Sequence, residues 1–397
     1  MASPKGWTKR LNFDILRPDK MLELCRCCIP KASVYLPSEV NSRRPKMQIA
    51  QKRLGDVPDG EVRCYEITNE AGSVFSFTNF GANILSLLVP DRNGRFDDVV
   101  LGYPNWQDYT TSTRNMAGVG GRVCGRIADA RFNLGGEEYL LAANNGPNHL
   151  HGGKGFHTKL WEVRRVWEAN DAVHVELFYF SPDNEDGYPG GLGLWVIYSF
   201  NELNQVTMQY RAQTTKLTVV NPMNHWYLNL GGHTSGSVNH HMVHINASRF
   251  AEVRAGLIPT GNFLLVDGTP FDLTTPRTIG LVADLEHPQL DLVGGFDHSF
   301  LLPKPWVSDQ VRAEAYDPQS GRTVKVQTTE PSIHFFTANE NLTDVDGKDG
   351  VRYRKRPGFC FEAQHFPNSP NEPKFPPVTL WPTGEFNSTT IYTFGTR

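Results

Sequence analysis

The feature that most constrains the fold is a hydrophobic alternation with a period of two residues. Apolar side chains occupy every second position in segments 173–179 and 206–212, and most of the positions between them are polar. This is the period of a β-strand with one buried face. No apolar pattern with the 3.6-residue period of a helix extends over 12 or more residues, which argues against alternating βαβ units and a parallel sheet.

Residues typical of turns separate further β-rich segments. Segment 201–204 (Asn-Glu-Leu-Asn) predicts a hairpin, and segments 91–94 and 317–321 combine Asp, Asn or Pro with Gly. We therefore predict an all-β fold, a single large antiparallel β-sandwich of about 340 residues, which is at the high end for one all-β domain.

The N-terminal segment differs in charge from the rest of the chain. The first 60 residues contain 12 Lys+Arg and 6 Asp+Glu, whereas the other 337 contain 27 and 36. Segment 38–46 is polar and aperiodic, as is typical of a linker. We predict a flexible basic tail over residues 1–46 and the β-sandwich domain over residues 47–397, with its start between Met47 and Glu61.

Composition argues against several classes of function. The formal net charge is −3, so a nucleic-acid partner is not indicated. The longest apolar run, residues 84–89, is far shorter than the roughly 20 residues that cross a bilayer, and we find no signal peptide, so no membrane association is expected. Six cysteines are too sparse for a disulfide framework in 397 residues, which favours a cytoplasmic location.

Three cysteines lie close together in the tail. Cys25, Cys27 and Cys28 resemble part of a zinc-ligand set, but the tail contains no histidine and a fourth ligand would have to come from elsewhere. We interpret them as mobile reduced thiols.

Histidines form two further clusters. His149 and His151 are two residues apart, which on a strand places both on one face, and His157 follows in a loop. This set fits a metal site, a site for a polar ligand, or hydrogen-bonded structural histidines. The second cluster, residues 240–244, has the composition of a solvated loop, and we predict that structure for it.

Segment 221–232 combines residues that suit a pocket for a small polar ligand. Asn224 precedes His225 and can fix the tautomer of its ring, while Trp226 and Tyr227 can supply a flat apolar wall with a polar tip. Two glycines then allow a close approach of the backbone. These are components of a carbohydrate site.

Two carboxylates stand in unusual surroundings. Glu362 is the only carboxylate in an apolar strand, segment 358–364, and Asp297 lies beside aromatic residues in a turn. Burial would raise the pKa of such a glutamate and suit it to act as a general base near neutral pH. The alternative is that Glu362 lies on the solvent side of its strand.

These segments together resemble the aldose 1-epimerase (galactose mutarotase) family. Each motif alone is weak, but seven occur in the family's order and at about its spacing, from about Glu61 to the C-terminus. They are Gly121–Ile127, Asn148–Gly153, Asp186–Gly190, Asn224–Asn229, Ile258–Gly261, Gly295–His298 and Gly358–Glu362.

The resemblance implies a galactose mutarotase-like β-sandwich with an open sugar cleft. It also implies interconversion of the α and β anomers of a free aldohexose such as galactose or glucose, with no metal and no cofactor. By motif position, Glu362 matches the family's general base and His225 its general acid.

The same resemblance implies a set of substrate-binding residues. Arg126, His151 and Asp297 match positions that hold the sugar, and Tyr227 matches a position that lines the cleft. His334 stands where a sugar-contacting Gln is frequent, so we include it as a substrate-binding candidate.

Two other positions depart from the family pattern. Gly125 stands where many members have Asn, and Trp226 where Ser is common. Loss of the Asn amide removes about one hydrogen bond, on the order of 1 kcal/mol. The departures therefore bear on sugar preference and leave the proposed acid and base in place.

Two other functions remain as alternatives. A glycoside hydrolase needs two carboxylates across the scissile bond, for which Glu362 and Asp297 are the obvious pair, but it leaves His225 without a role. A sugar-binding protein that keeps the fold without turnover is the non-enzymatic alternative.

Overall fold

Antiparallel strands form most of the protein, a computed structural model of which describes residues 47–397. The first strands are β1 (Gln48–Val57), β2 (Gly60–Thr68), β3 (Val74–Thr78), β4 (Ile84–Pro90), β5 (Phe96–Asp98), β6 (Val119–Gly120), β7 (Arg126–Ile127), β8 (Arg131–Leu134) and β9 (Glu137–Leu140). Next come β10 (His149–Leu150), β11 (Glu162–Ala169), β12 (Ala172–Ser181), β13 (Leu192–Asn201), β14 (Gln205–Thr214), β15 (Thr218–Val219), β16 (Met223–Asn224), β17 (Met242–Ile245) and β18 (Arg249–Arg254). The last are β19 (Ile258–Leu265), β20 (Arg277–Thr278), β21 (Asp297–Leu301), β22 (Val311–Tyr316), β23 (Arg322–Thr328), β24 (Ser332–Phe336), β25 (Cys360–Gln364), β26 (Thr379–Leu380) and β27 (Phe386–Thr396).

Helices in the described part are short. The α-helices are α1 (Asp108–Thr111), α2 (Ile279–Ala283) and α3 (Pro288–Asp291). The 3₁₀ turns are Ala128–Ala130, Phe156–Thr158, Glu185–Gly187, Val238–His240, Lys348–Gly350 and Ser369–Asn371. Within residues 47–397 no helix has the length and apolar character needed to cross a membrane.

The strands form three large sheets and several two-stranded ladders. The N-terminal sheet has the order β1-β2-β3-β4-β5, the large sheet β11-β12-β13-β14-β27-β23-β22-β17-β20, and the C-terminal sheet β19-β18-β21-β24-β25. The small ladders are β7-β10, β6-β16, β8-β9 and β15-β26. The ladders of the three large sheets are antiparallel, which confirms the predicted all-β antiparallel class.

The alternation seen in the sequence becomes the inner face of the large sheet. In β14 the side chains of Val206, Met208, Tyr210 and Ala212 are buried, and the residues between them are at least partly exposed. Full burial of a large apolar side chain contributes about 1.5–3 kcal/mol, so this face stabilises the sheet strongly. The predicted hairpin at 201–204 joins β13 to β14, and the predicted turns at 91–94 and 317–321 join β4 to β5 and β22 to β23.

One hydrophobic core joins the three sheets. Phe75 of β3 packs edge-on against Tyr198 of β13, with ring centroids 5.9 Å apart. Between the large and C-terminal sheets, the Tyr392 hydroxyl donates to the Phe361 carbonyl oxygen at 2.6 Å. Residues of all three sheets belong to the same buried cluster. The C-terminal sheet is thereby held in a fixed position, which matters because it carries several of the candidate site residues.

The cluster at residues 240–244 does not form a solvated loop, so that prediction was wrong. His241 is fully buried, and its Nε2 accepts a hydrogen bond from the Leu230 N–H at 3.1 Å. His244 lies in β17, and His240 ends a 3₁₀ turn. β17 is only four residues long, too short for a two-residue alternation to stand out in the sequence, which explains the error.

The domain boundary remains a prediction. The first described strand begins at Gln48, inside the predicted window of 47–61. The proposed tail over residues 1–46, with Cys25, Cys27 and Cys28, lies outside the described residues.

Candidate active site

A cavity of about 390 Å³ opens beside the C-terminal sheet. Its lining includes all seven residues singled out in the sequence: Arg126, His151, His225, Tyr227, Asp297, His334 and Glu362. They come from segments up to 236 positions apart in the chain, so the fold alone brings them together. The volume falls within the usual range for a small-molecule pocket, about 300–1,000 Å³.

Strand register places three of these residues on one face of the C-terminal sheet. His334 in β24 lies directly opposite Glu362 in β25 and, on its other side, opposite Ser299 in β21. Asp297 precedes Ser299 by two positions and therefore points to the same face. The side chains of Asp297, His334 and Glu362 therefore lie on the same face of the C-terminal sheet.

The opposite side of the cavity is built from two short ladders. Arg126 of β7 pairs with Leu150 of β10, and His151 follows at the end of that strand. The β16 strand pairs with β6 and delivers His225 directly after it. The Asn224 amide donates to the Ala117 carbonyl oxygen and the Tyr198 hydroxyl, so it anchors this segment. The prediction that Asn224 fixes the tautomer of the His225 ring was therefore wrong.

Glu362 faces the cavity and is almost inaccessible. It is 3% exposed, so the alternative of a solvent-side glutamate was wrong. The Gln364 amide donates to Glu362 Oε2 at 3.2 Å, and His225 Nε2 lies 3.5 Å from Oε1. A buried carboxylate with few polar partners is costly to keep unless its charge has a use.

His225 is held on several sides. Its Nε2 faces Glu362, and its Nδ1 lies 3.7 Å from Cys360 Sγ. The ring packs edge-on against His151, with centroids 5.1 Å apart, and lies 5.0 Å from the ring of Tyr227. The Tyr227 hydroxyl accepts a hydrogen bond from the Asn341 amide at 3.0 Å. The imidazole therefore has one nitrogen directed at the carboxylate and little freedom to turn.

His149 and His151 do not share a face, contrary to the prediction from their spacing. His151 has a φ of 50°, so the strand ends before it and the alternation does not apply. His149 Nδ1 bonds the Ala142 carbonyl oxygen at 2.7 Å, and neither His149 nor His157 lines the cavity. In the described part of the chain, neither residue belongs to a cluster that could hold a metal ion.

His151 is kept neutral in the cavity. Burial, together with the charges of His225 and Arg126, holds the pKa of His151 well below its ordinary value. The Gly125 N–H donates to Nδ1 at 3.4 Å, which leaves the proton on Nε2. His151 can therefore donate one hydrogen bond to a ligand without carrying a charge.

Asp297 is an ionised carboxylate with strong partners. His334 Nε2 lies 2.6 Å from Oδ1, and Arg126 Nη1 lies 3.6 Å from Oδ2. Burial acts to raise the pKa of Asp297, but the Arg126 charge and the His334 hydrogen bond outweigh it and hold that pKa well below its usual range. Asp297 thus offers an acceptor to a ligand and has no proton to give.

Both ring nitrogens of His334 are engaged by the protein. Nδ1 lies 2.8 Å from the Ser299 hydroxyl, while Nε2 donates to Asp297. The Ser299 hydroxyl can donate to a neutral ring or accept from a charged one, so both states fit. Burial lowers the pKa of His334, but the Asp297 hydrogen bond and the Glu362 and Asp297 charges together raise it above its ordinary value.

The raised pKa of His334 predicts a pH-dependent contribution to stability. The folded protein binds this proton more tightly than the unfolded chain, so the contribution is complete below about pH 6.5 and is lost as pH rises through the folded pKa. We expect His334→Gln to lower the free energy of unfolding more at pH 6 than at pH 9, as measured by urea denaturation. Equal losses for His334→Gln at both pH values would refute the prediction.

Sequence comparisons show the family of this chain. The profile of the Aldose 1-epimerase family matches residues 63–393. The chain belongs to this family. Galactose mutarotase from Sus scrofa is 40% identical over 351 residues, 88% of this chain and 99% of that protein. Aldose 1-epimerase from Escherichia coli (strain K12) is 32% identical over 344 residues, 85% of this chain and 96% of that protein.

Solved structures of related proteins have the same fold. Galactose 1-epimerase from Lactobacillus acidophilus NCFM superimposes with a TM-score of 0.78 at 25% identity, covering 88% of this chain and 99% of that chain. An aldose epimerase homologue from C. elegans gives a TM-score of 0.76 at 28% identity, covering 83% and 98%. The predicted galactose mutarotase-like sandwich is thereby confirmed.

Trp226 of the epimerase does not form a wall of the cavity, contrary to the prediction. It is fully buried, and its ring packs edge-on against Tyr392 at 4.8 Å and Phe394 at 5.9 Å. Because Tyr227 lines the cavity and neighbouring residues of an extended chain point to opposite sides, Trp226 must point into the core. The Trp226 departure from the family pattern is therefore a matter of core packing.

At Gly125 the epimerase has no room for the expected asparagine. The residue has a φ of 74°, which Asn tolerates, but a Cβ there would lie 2.6 Å from side-chain atoms of Pro367. Gly125 and Pro367 therefore fit each other, and both line the cavity.

We expect Gly125→Asn to destabilise the epimerase by about 1–3 kcal/mol, the usual cost of overpacking, without improving its KM for sugar. Gly94→Asn is a matched control because Gly94 has a φ of 79° and a Cβ there would meet no other atom within 4 Å. Urea denaturation and steady-state kinetics measure both effects. An unchanged stability together with a lower KM would show that Pro367 yields readily to the amide.

Several residues in and around the cavity wall escaped the sequence analysis. Ser299, Cys360 and Gln364 contact the candidate residues, although none was singled out. For two of them a signal was available: on a strand, positions two before and two after Glu362 share its face, which places Cys360 and Gln364 beside it. Ser299 depends on the register between β21 and β24, which no local pattern reveals.

Proposed function

We propose that this family member interconverts the α and β anomers of free aldohexoses of the galactose and glucose type. Glu362 is the general base and His225 the general acid. The observation that carries this proposal is the placement of Glu362 Oε1 3.5 Å from His225 Nε2 at the wall of a sugar-sized cavity. A carboxylate and an imidazole in one cavity are the pair that reversible opening of a hemiacetal requires.

The reaction consists of two proton transfers and one rotation. Glu362 takes the proton of the anomeric hydroxyl while His225 gives a proton to the ring oxygen, so the bond between the anomeric carbon and the ring oxygen breaks and an aldehyde forms. Rotation about the C1–C2 bond presents the other carbonyl face. The former ring oxygen, now a hydroxyl, then attacks that face and gives its proton back to His225, while Glu362 returns its proton to the carbonyl oxygen, which becomes the new anomeric hydroxyl. These steps involve no oxidation or reduction, and they return Glu362 and His225 to their starting protonation states.

The other cavity residues bind the sugar hydroxyls. Ionised Asp297 is an acceptor, the Arg126 guanidinium offers several donors, and neutral His151 offers one. Tyr227 supplies a flat surface next to His225. His334 acts through Asp297, because both of its ring nitrogens are already hydrogen-bonded within the protein. Only the carbon atoms of its ring are therefore available for direct contact with the sugar.

The glycoside hydrolase alternative has little support. Its general acid would have to be Asp297 or Glu362, and the low pKa of Asp297 keeps that carboxylate ionised. As a nucleophile, Asp297 would have to give up its contacts with His334 and Arg126. The non-catalytic alternative is disfavoured by the retention of both Glu362 and His225.

A cytoplasmic location is part of this proposal. Cys64, Cys124 and Cys360, the cysteines of the described part, are all free and buried. Reduced thiols are usual in the cytosol. The partner we propose is the small sugar itself.

Exchange spectroscopy separates these functions. We expect the protein to cause magnetisation transfer between the α and β anomeric protons of galactose at equilibrium, measured by proton NMR. A galactose-containing disaccharide serves as the second substrate, and release of monosaccharide from it would favour the hydrolase. Sugar binding without faster anomer exchange would favour the non-catalytic alternative.

A further inference from the structure

A buried thiol lies next to the candidate base and acid. Cys360, His225 and Glu362 each offer a donor atom, and these three atoms all lie within 4.8 Å of one another. All three residues are buried, with exposures of 0%, 6% and 3%. The proposed reaction uses the histidine and the carboxylate but gives the thiol no role.

The spacing of two of these donors fits a zinc ion. Zinc binds sulfur at about 2.3 Å and imidazole nitrogen at about 2.0–2.1 Å, so a tetrahedral site separates the two atoms by about 3.6 Å. Cys360 Sγ and His225 Nδ1 are 3.7 Å apart. The Glu362 carboxyl group supplies a third ligand, since its terminal torsion rotates easily. Three protein ligands leave a fourth position for water.

A second cluster of possible metal ligands in the described residues is not suited to bind a metal ion. It consists of His240, His241 and Asp317. His241 Nε2 accepts the Leu230 N–H, so the neutral ring must carry its proton on Nδ1 and has no free nitrogen lone pair. His225 differs, because neither of its ring nitrogens accepts a backbone N–H.

Cys360 is a protonated thiol in the metal-free protein. Burial, with the nearby Glu362 charge, raises the pKa of Cys360 well above its usual value. A bound zinc ion displaces that proton, because metal ligation deprotonates a thiol outright. His225 and Glu362 both line the cavity, so a metal ion would enter from there, and Cys360 lies buried behind them.

We propose that Cys360, His225 and Glu362 form a binding site for a thiophilic divalent cation of the zinc type, whose occupation inhibits the epimerase. The metal binds the Glu362 carboxylate that must accept the anomeric proton, so bound metal and turnover exclude each other. Inhibition is competitive with the sugar because both occupy the same corner. The inhibitory effect rests on the proposed function, whereas the metal site itself does not.

Cobalt spectroscopy tests the site without using activity. The test protein is the full chain with Cys25, Cys27 and Cys28 replaced by Ser, so that tail thiols do not contribute. We expect added Co²⁺ to give a thiolate-to-metal charge-transfer band that is lost in Cys360→Ser and in Cys360→Ala, while Cys124→Ser, a change at another buried cysteine, retains it. A band that persists in both Cys360 variants, or no band in the test protein, would overturn the proposed site.

Inhibition is then measured by the rate of anomer exchange. We expect Zn²⁺ to inhibit reversibly, with activity restored by EDTA, and Cys360→Ser to raise the inhibitory concentration by at least about tenfold. Higher galactose concentrations should also raise it. A Co²⁺ band in a protein without any exchange activity would contradict the proposed function but support the metal site. Full activity that Zn²⁺ inhibits equally in Cys360→Ser would overturn the inhibitory role.

Discussion

Replacement of Glu362 by Gln is expected to reduce turnover by roughly 10²- to 10⁴-fold, the usual contribution of a positioned acid–base group. The amide has the shape of the carboxylate but cannot accept the anomeric proton. Sugar binding should change little, because Arg126, His151 and Asp297 are untouched. Steady-state kinetics should therefore show a fall in kcat with a nearly constant KM.

A matched control is available in the same sheet. Glu252 of β18 bonds the Thr260 hydroxyl at 2.7 Å and does not line the cavity. Glu252→Gln should leave kcat unchanged, which separates loss of the base from general loss of charge on the sheet. Near wild-type turnover in Glu362→Gln would remove Glu362 from the mechanism.

Replacement of His225 by Asn is expected to have a comparable effect, again roughly 10²- to 10⁴-fold in kcat. Wild-type turnover should be bell-shaped with pH, because the active form needs Glu362 ionised and His225 protonated. In the variant the alkaline limb should flatten while the acidic limb remains.

An alkaline limb that survives in His225→Asn would identify another group as the acid. His151 is the imidazole that packs against His225. Its lowered pKa, however, leaves it neutral and poorly suited to donate a proton to the ring oxygen. His174→Asn, at a histidine of β12 outside the cavity, is the control and should retain both limbs.

The strands and the main site residues could be predicted because they depend on local patterns. The two-residue period of segment 206–212 alone indicated a strand with one buried face, and β14 has that structure. Glu362 stood out because a lone carboxylate in an apolar strand needs a partner or a function. The family motifs then placed His225 and the sugar-positioning candidates, which the structure brings into one cavity.

Other features depend on contacts between distant segments and could not be predicted. Asn224 bonds Ala117 and Tyr198 because β13 and the segment just before β6 approach it in the fold. His151 leaves the strand pattern through a single positive φ, which separates it from His149. The pair of His334 and Asp297 depends on the register of β21 against β24. Local sequence contains none of this information.

Polarimetry of freshly dissolved sugar is the most direct test of the central claim. The optical rotation of pure α-galactose, and separately of α-glucose, is followed to equilibrium with and without the protein. We expect the rate to rise in proportion to protein concentration, the final rotation to be unchanged, and Glu362→Gln largely to abolish the effect. A rate equal to that of buffer alone with both sugars, for a protein that is folded, would contradict it.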